Sequence, residues 1–482
     1  MENEQDFVRE ITRKSDDFSR WYVEIIRKAK LADYSPMKGM MVIRPYGYAV
    51  WELLRDQLDA RFKASGHVNA YFPLFIPESF LKKEAEHVAG FAPEVAWVTV
   101  GGGEQLEERL AVRPTSEAII CSMYAKWVNS WRDLPLLINQ WANVVRWEKV
   151  TRPFLRTTEF LWQEGHTVHA TAEEARAEAL LILDIYRTFA EEVLAIPVLS
   201  GRKSASERFA GAVETFAIET LLPDGKALQA GTSHDLGQNF SRAFQIRFES
   251  KNQTLEYAWQ TSWGVSTRLI GALIMTHGDD SGLIIPPRLA PTQVVIVPIS
   301  VGNWKEEVLP AARALAAELK EKGLRVVLDD DDTSTPGWKF AEWEMCGVPL
   351  RIEIGPRDLR QDQVMLVSRL NREKTAVKRA EAYTAISTAL ERIQQDLFER
   401  ALRFRRENTR TAAGLEELQA IIEEQRGFVR SGWCGAPECE ARVKEACAAT
   451  IRVIEDPPDP ALPTCLACDR PARESVVFAK SY

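Results

Sequence analysis

The sequence has no apolar run approaching the ~20 consecutive residues needed to cross a bilayer. Its opening, Met1-Glu2-Asn3-Glu4-Gln5-Asp6, is acidic and polar, the reverse of a secretory or mitochondrial targeting segment, so the expected location is the cytoplasm, with no membrane partner. There is no internal repeat and no low-complexity segment. Positive charge is in deficit: 61 Lys and Arg stand against 69 Asp and Glu, a net charge of −8. That argues against a protein that coats nucleic acid through its overall charge. It leaves room for a local basic surface, because phosphates feel charge only within roughly 8–10 Å at ordinary salt. Cysteine is scarce, and the odd count of seven does not make a complete disulfide set. Cys121 and Cys346 stand alone, whereas five cluster between Cys434 and Cys468, which in a reducing compartment reads as metal binding before disulfide.

What is present is a globular composition, 45% apolar and 27% charged, on a 482-residue chain too long for one core. Two or three domains are expected. Residues 7–31 carry charged and apolar positions at helical spacing, and Tyr48 to Lys63 do so again, with Trp51, Leu54, Leu58 and Phe62 on one face. Gly66 stops that helix, and Val68 to Ile76 is strand-like. Residues 139–170 read as two strands around a charged loop. Thr171 to Leu194 reads as a helix opened by a Thr171/Glu174 capping box, and Asn239 to Trp263 as strands. Strands interleaved with helices, without a regular βαβ rhythm, predict an antiparallel sheet flanked by helices. After the proline-rich linker Pro286–Pro291 the rhythm changes. Strands at 294–297, 324–328, 350–354 and 363–368, with helices over 304–322 and around Phe340, make an α/β unit of ordinary domain size. A long charged helix over 376–407 leads into the cysteine-rich tail.

Two segments concentrate chemistry. Arg146-Trp147-Glu148 and Arg156-Thr157-Thr158-Glu159-Phe160 bracket a short loop with two arginines, a carboxylate and an aromatic. Such a set can hold ATP: a guanidinium for the α-phosphate, a carboxylate for the adenine amino group, a ring for stacking. A surface hairpin laced with salt bridges would look the same. Ser262-Trp263-Gly264-Val265-Ser266-Thr267-Arg268 runs into the apolar helix Leu269 to Met275, and Arg268 at that junction can point at a triphosphate. The alternative is an arginine that caps a core helix.

These segments resemble motifs 2 and 3 of the class II aminoacyl-tRNA synthetases, and Gly66 to Pro73 resembles motif 1, which in that class lies at a dimer interface. Finer matches point to the prolyl-tRNA synthetases: Met37-Lys38-Gly39-Met40-Met41-Val42-Ile43-Arg44-Pro45, Arg113-Pro114-Thr115-Ser116-Glu117, Phe160-Leu161-Trp162-Gln163-Glu164-Gly165-His166-Thr167 and Gly231-Thr232-Ser233-His234. The resemblance runs from about residue 15 to the end of the chain. It implies activation of L-proline with ATP and transfer to tRNA(Pro), by a class II catalytic domain (1–290), an anticodon-binding α/β domain (291–395) and a small α+β zinc-binding domain (396–482), in a homodimer.

The resemblance also implies roles. Arg146 and Arg268 are the expected catalytic residues, with Glu148, Arg156, Thr157, Phe160, Gln229, Thr232 and Ser266 completing the ATP site and Mg²⁺ expected on the triphosphate. Proline offers only its secondary ammonium as a polar handle. Thr115 and Glu117 are expected to accept from it beside Arg146, while Trp162, Glu164, His166 and His234 shape the ring pocket. A lone histidine is more often a satisfied core residue, but both histidines here sit in family-matching motifs.

Many bacterial members carry a large editing insertion between motifs 2 and 3. Positions 167 to 261 here number 95 and read as ordinary helices and strands, which resembles the archaeal/eukaryotic-like form without the insertion. Some mischarging with alanine or cysteine is expected, since an apolar pocket separates near-isosteres by only ~1–3 kcal/mol. Gly337-Trp338-Lys339-Phe340, Trp343-Glu344 and Gly347 to Glu353 carry the match to the anticodon-binding domain. Phe340, Glu344, Arg351 and Arg357 are the candidates there, for stacking and for guanine hydrogen bonds. The plainer reading makes Phe340 core and Glu344 solvated. Asp329 to Asp332 would repel phosphate and reads as a solvated loop.

In the tail, Cys434-x₄-Cys439-x₂₅-Cys465-x₂-Cys468 has the spacing of a closed tetrahedral Zn²⁺ site that supplies folding energy to a segment too small for its own core. Two disulfides are the alternative, and Cys447 fits neither pair. The ending Lys480-Ser481-Tyr482 also matches the family, where the terminal carboxylate is expected near the catalytic domain. Rival readings are weaker. A non-catalytic paralogue would lack Arg146 or Arg268. A threonyl enzyme would need a Cys/His metal set, which the first 290 residues do not supply. An enzyme that adenylates a free acid would have no use for the second domain.

Overall fold

The computed structural model describes residues 11–87 and 94–482. Its centre is an eleven-stranded sheet. Seven strands form its first part, in the spatial order Val68–Asn69, Leu136–Val145, Glu159–His169, Trp259–Ser266, Ala227–Gly237, Glu214–Leu221 and Leu199–Arg202. All neighbours are antiparallel except the first pair. The amphipathic helix Ala172–Glu192 buries Ile182, Tyr186 and Phe189 against this sheet. Half of the predicted capping box forms: Thr171 Oγ1 accepts from the Glu174 amide at 3.2 Å, but Glu174 Oε2 accepts from the Ala170 amide at 3.0 Å, one residue before the N-cap, and not from Thr171. The helix Pro45–Ala64 buries Trp51, Leu54, Leu58 and Phe62, and ends where Gly66 takes a φ of +92°.

The sheet does not stop at this first part. Ile454 pairs with Arg202, so the C-terminal strands Ala449–Glu455, Glu474–Lys480, Phe428–Trp433 and Thr409–Thr411 extend it. Between these two parts in the sequence lies a separate five-stranded sheet, in the order Val326–Leu328, Val294–Pro298, Leu350–Ile354, Gln363–Ser368 and Lys374–Lys378. The 26-residue helix Ala382–Glu407 leaves it and docks back on the first part, with Arg400 donating to the His277 carbonyl at 2.8 Å and Arg405 to the Val198 carbonyl at 2.7 Å. Among the described residues no helix is long and apolar enough to cross a membrane.

Several predicted elements differ. The first helix spans Phe18–Lys28 and not 7–31, because Asp17 caps it by accepting from the Arg20 amide at 2.9 Å and Lys30 leaves it at φ +59°. Residues 7–10 of that expectation lie outside the described residues. The predicted strand 68–76 is two short strands, Val68–Asn69 and Phe75–Pro77, that join different sheets. Asn239–Phe244, predicted as strand, is a helix whose Phe240 and Phe244 are buried one turn apart. The long charged helix begins at Ala382, since Lys374–Lys378 pairs as a strand with Gln363–Ser368. The segment 286–291 is packed, its carbonyls at Pro287 and Ala290 accepting from Arg325 at 2.8 and 2.7 Å. The Asp329–Asp332 run is partly tied down: Asp329 accepts from the Trp343 indole at 2.8 Å and pairs with Lys339 at 2.9 Å.

Candidate active site

A cavity of about 340 Å³ opens on one face of the central sheet. Alternation along Glu159–His169 sends Phe160, Trp162, Glu164 and His166 to that face. Register aligns the neighbouring strands. Thr215, His234, Ser262 and His166 form one row across four strands, and Thr232, Gly264 and Glu164 form the next row across three of them. The missing side chain at Gly264 keeps the middle of its row open, in front of the Trp162 ring.

The polar groups at one end are held in place. Glu164, 2% exposed, accepts from the Ser116 amide (3.1 Å), the Ser116 hydroxyl, Gln140 Nε2 (2.9 Å) and His166 Nε2 (3.0 Å). Burial opposes its charge, but those hydrogen bonds outweigh it and hold the carboxyl below its usual range. His166 also loses solvation, yet the bond to Glu164 and the charges of Glu117 and Glu164 raise its pKa. His234 goes the other way. Burial and the nearby His166 lower it to about 3, so it is neutral, with Nδ1 3.0 Å from the Thr215 hydroxyl and its ring stacked on Phe209 at 4.6 Å. Thr115 donates to Glu117 Oε2 at 2.5 Å. Three buried polar atoms of lining residues, Trp162 Nε1, Ser262 Oγ and Trp263 Nε1, have no partner within the protein. An unpaired buried polar group costs ~1–3 kcal/mol, which marks this wall as built for a polar ligand.

The other end is cationic. Arg146 donates through Nε to the Pro114 carbonyl at 3.0 Å and lies against the Phe160 and Trp162 rings, 5.6 and 5.4 Å from their centroids. Arg268 opens the buried helix Arg268–His277 and donates to the carbonyls of Leu155 (3.2 Å) and Gln229 (3.4 Å). Both guanidiniums lean on main-chain carbonyls and not on carboxylates. Burial lowers both pKa values, and for Arg268 the positive charges of Arg156 and Arg146 lower it further. Two neighbouring guanidiniums that repel each other and make no hydrogen bond to a carboxylate leave a site prepared for a polyanion, with the charges of Glu117, Glu164, Glu148 and Glu219 only partly offsetting theirs.

Twelve predicted site residues therefore line one cavity: Thr115, Glu117, Arg146, Phe160, Trp162, Glu164, His166, Gln229, Thr232, His234, Ser266 and Arg268. Glu148, Arg156 and Thr157 sit beside it on the connection between two strands. Glu148 and Arg156 form a loose 3.9 Å ion pair, and the Thr157 hydroxyl donates to the Glu159 carbonyl at 2.7 Å. Glu207, Phe209 and Thr215 line the cavity without having been picked out. Only Thr215 left a signal, as the residue in register with His234.

Three family profiles match successive parts of the chain: the tRNA synthetase class II core domain (G, H, P, S and T) over residues 97–277, the anticodon binding domain over 293–389, and the prolyl-tRNA synthetase C-terminal domain over 415–482. The proline–tRNA ligase of Natranaerobius thermophilus is 57% identical over 482 residues, covering 100% of this chain and 99% of its own. That of Rubrobacter xylanophilus is 60% identical over 479 residues, 98% of this chain and 99% of its own. That of Chlorobaculum tepidum is 56% identical over 484 aligned positions, again 98% and 99%. The chain belongs to the proline–tRNA ligase family.

In this member of the proline–tRNA ligases the four tail cysteines converge. Their sulfurs lie within 4.8 Å of one another, with Cys434 3.7 Å from both Cys439 and Cys468. A disulfide needs ~2.05 Å, whereas a tetrahedral ion with Zn–S bonds of ~2.3 Å spaces its sulfurs by about 3.8 Å. None of the four is in a disulfide, so the disulfide alternative falls. Arg470 donates to Cys468 Sγ at 3.3 Å and to Cys434 Sγ at 3.8 Å, and the bond to Cys468 lowers that thiol's pKa to about 6, favouring the thiolate that binds metal. Cys447 lies apart, bonded to the Val443 carbonyl.

On the second sheet, Arg351 of the strand Leu350–Ile354 meets Phe340 and Glu344 of the helix Pro336–Met345. The Arg351 guanidinium stacks over Phe340 at 4.0 Å and bonds to Glu344 (3.0 Å) and Glu353 (2.9 Å). Arg357 lies exposed on the short helix Pro356–Arg360 beyond that strand. The chain ends on the catalytic sheet: the Tyr482 amide donates to the Ala227 carbonyl at 2.9 Å, and its ring lies 5.2 Å from the Arg152 guanidinium.

Proposed function

We propose that the chain activates L-proline with ATP, releasing pyrophosphate, and then transfers proline to the 3′-terminal adenosine of tRNA(Pro). The observation that carries this reading is the convergence of Arg146 and Arg268 on the cavity that also holds the Thr115–Glu117 and Glu164–His166 pairs. The proline carboxylate attacks the α-phosphorus, the bond to the β-phosphate oxygen breaks, and pyrophosphate leaves. Arg146, fixed by Pro114 and the two rings, holds the carboxylate against the α-phosphate and neutralises charge that grows on it. Arg268 takes the far end of the triphosphate, Phe160 stacks on adenine, and Glu148, Arg156, Thr157, Gln229, Thr232 and Ser266 complete the nucleotide site. Mg²⁺, when bound to the triphosphate, supplies further counter-charge. Thr115 and Glu117 accept from the secondary ammonium, and Trp162, Glu164, His166 and His234 bound the ring. The test is ATP–pyrophosphate exchange across all twenty amino acids. Proline should give the fastest exchange, with alanine and cysteine well behind; a faster exchange with any other amino acid overturns the assignment.

The finer reading is a cytoplasmic enzyme of the archaeal/eukaryotic-like form without the editing insertion. Its support is that the segment from 167 to 261 consists of the helix Ala172–Glu192, strands of the central sheet, a short helix and a small hairpin, with no separate unit. We divide the chain at 290 and 395 into catalytic, anticodon-binding and zinc-binding parts. Two readings share one measurement. Zn²⁺ on Cys434, Cys439, Cys465 and Cys468 follows from their spacing. A homodimer through the motif 1 region follows from exposed Val68 and Tyr71 beside the edge strand of the sheet, 59% and 70% accessible. Native mass spectrometry should read two chains carrying two zinc ions; a monomer mass, or a zinc-free species with the fold intact, overturns the corresponding reading.

Phe340, Glu344, Arg351 and Arg357 are proposed to read the anticodon, the ring by stacking and the charged groups on guanine edges. Glu344 is held by one hydrogen bond, from Arg351 at 3.0 Å, and a long 4.0 Å ion pair with Arg372, and so can turn to a base at small cost. Glu344→Ala should leave proline-dependent exchange within about twofold of wild type and lower kcat/KM for tRNA charging by roughly 10–100-fold, the scale of one base contact. Equal damage to both activities would remove this face from tRNA recognition.

A further inference from the structure

We infer that the cysteine-rich C-terminal module positions the wall of the amino-acid pocket, with Arg452 as the positioning residue. The wall belongs to the loop Lys203–Val213, between the strands Leu199–Arg202 and Glu214–Leu221. Two of its residues, Glu207 and Phe209, line the cavity, and Phe209 stacks on His234. Nothing in the loop's own sequence makes it rigid: it has no helical or strand periodicity, and Ala205 and Ser206 are exposed. Its internal bonds are local ones, Glu207 N to Ser204 O (3.2 Å), Ala212 N to Phe209 O (3.0 Å), Arg208 Nη1 to Val213 O (2.8 Å) and a 3.2 Å contact between the Ser204 and Ser206 hydroxyls, and Phe209 N also donates to the Thr215 hydroxyl of the following strand at 3.0 Å.

The C-terminal module grips this loop at two points. Ser204, 1% exposed, donates to Glu440 Oε1 at 2.6 Å, and Glu440 follows Cys439 of the cysteine cluster. Further along, Arg452 reaches across from the strand Ala449–Glu455. It bonds to Glu219 through Nη2 (2.8 Å) and Nε (3.2 Å), to the Thr450 hydroxyl through Nη1 (2.9 Å), and lies 3.6 Å from Glu207 Oε2. Glu219 is fully buried and also takes Lys203 Nζ at 2.7 Å. Glu219 stands opposite Gln229 of the cavity, and its charge acts on Arg268. This is a buried set of two cations and two carboxylates, with one carboxylate on the pocket loop. Such a set is weak evidence for stability, because well-packed apolar residues would serve as well, but it is demanding about geometry. The geometry it imposes is the distance between the C-terminal module and Glu207, and through Glu207 the position of Phe209 against His234.

This inference rests on the cavity being the proline site, and proline-dependent exchange by the unaltered chain tests that separately. Given that activity, Arg452→Gln should raise KM for proline about tenfold, the size of one lost charge-assisted contact. KM for ATP and the zinc content should stay as they were. Glu207→Gln should do the same, and the double variant should be no worse than either single one, since both break one contact. Arg452→Lys should recover part of the loss. A folded, zinc-loaded Arg452→Gln with unchanged KM for proline overturns the proposal, as does a double variant whose effects multiply. If Arg452→Gln unfolds because Glu219 loses a partner, Glu207→Gln and Ser204→Ala decide alone: both leave Glu219 with its two cations, and unchanged KM for proline in both sinks the idea.

Discussion

Arg268→Ala should cut proline-dependent ATP–pyrophosphate exchange by about a thousandfold or more while leaving the melting temperature unchanged or slightly higher. The first half follows from what Arg268 faces. It is half-buried at the start of a helix, near Arg146, in a cavity where neither guanidinium is hydrogen-bonded to a carboxylate. A donor aimed at charge developing in a water-poor site contributes ~10²–10³-fold when it acts alone. A guanidinium that also binds the ground-state triphosphate should exceed that. The second half follows from the same geometry read as stability. In the free enzyme burial and the charges of Arg156 and Arg146 disfavour the Arg268 cation more than Glu219 and Glu148 favour it. Removing it forfeits two long bonds to main-chain carbonyls and relieves a repulsion, the usual trade between activity and stability at a binding site. Arg268→Lys should recover little, because one ammonium cannot keep Leu155 and Gln229 and still present a second donor to phosphate. The plain alternative, a helix-capping arginine, predicts the opposite pair of results: a clear fall in melting temperature with exchange largely retained. Exchange kinetics and a thermal melt on the same preparation separate the two.

How much of this site could be read in advance depended on whether a residue's position follows from its own segment. Phe160, Trp162, Glu164 and His166 alternate along a strand, so local sequence places all four on one face, and the cavity confirms that placement. The cysteine cluster was legible for a similar reason, since tight pairs need little from the rest of the fold. Glu207 and Phe209 were not, because they sit on an aperiodic loop whose course is set by bonds to Thr215 and to a module more than two hundred residues away. Asn239–Phe244 misled for another reason: its two phenylalanines suit a strand, and only the packing of Phe240 and Phe244 beneath the sheet makes one helical turn the better burial. The largest omission was architectural. A linear reading separates the C-terminal domain from the catalytic sheet, yet the Ile454–Arg202 pairing fuses them, and no local pattern encodes a pairing between such distant segments.

The change at the site predicted to cost the most stability adds one methyl group. Gly165 sits directly across from Trp263 on the neighbouring strand, and a Cβ at position 165 would lie 2.1–2.3 Å from three carbons of the indole. The indole has nowhere to go. Trp263 is 2% exposed and packed against Phe62 at 4.9 Å and His67 at 5.2 Å. Inserting one carbon into a close-packed core ordinarily costs ~1–3 kcal/mol, and a site this tight belongs at or above the upper end. Gly165→Ala should therefore destabilise the chain by about 3 kcal/mol in denaturant unfolding. Activity should suffer separately, because Gly165 lies between Glu164 and His166, and spreading the two strands moves both with Ser262. A displacement on the order of 1 Å in positioned groups can cost about a hundredfold in rate, so exchange in the folded variant should fall by at least that much. Shrinking the neighbour provides the control. Trp263→Leu alone leaves a cavity and destabilises by about 3 kcal/mol, but in the Gly165→Ala background the same substitution removes the clash. The double variant should then be markedly more stable than the sum of the two losses, a coupling of 1 kcal/mol or more. Strict additivity would mean that Gly165 and Trp263 do not touch, and the register that aligns His166, Ser262 and His234 across the cavity would have to be redrawn.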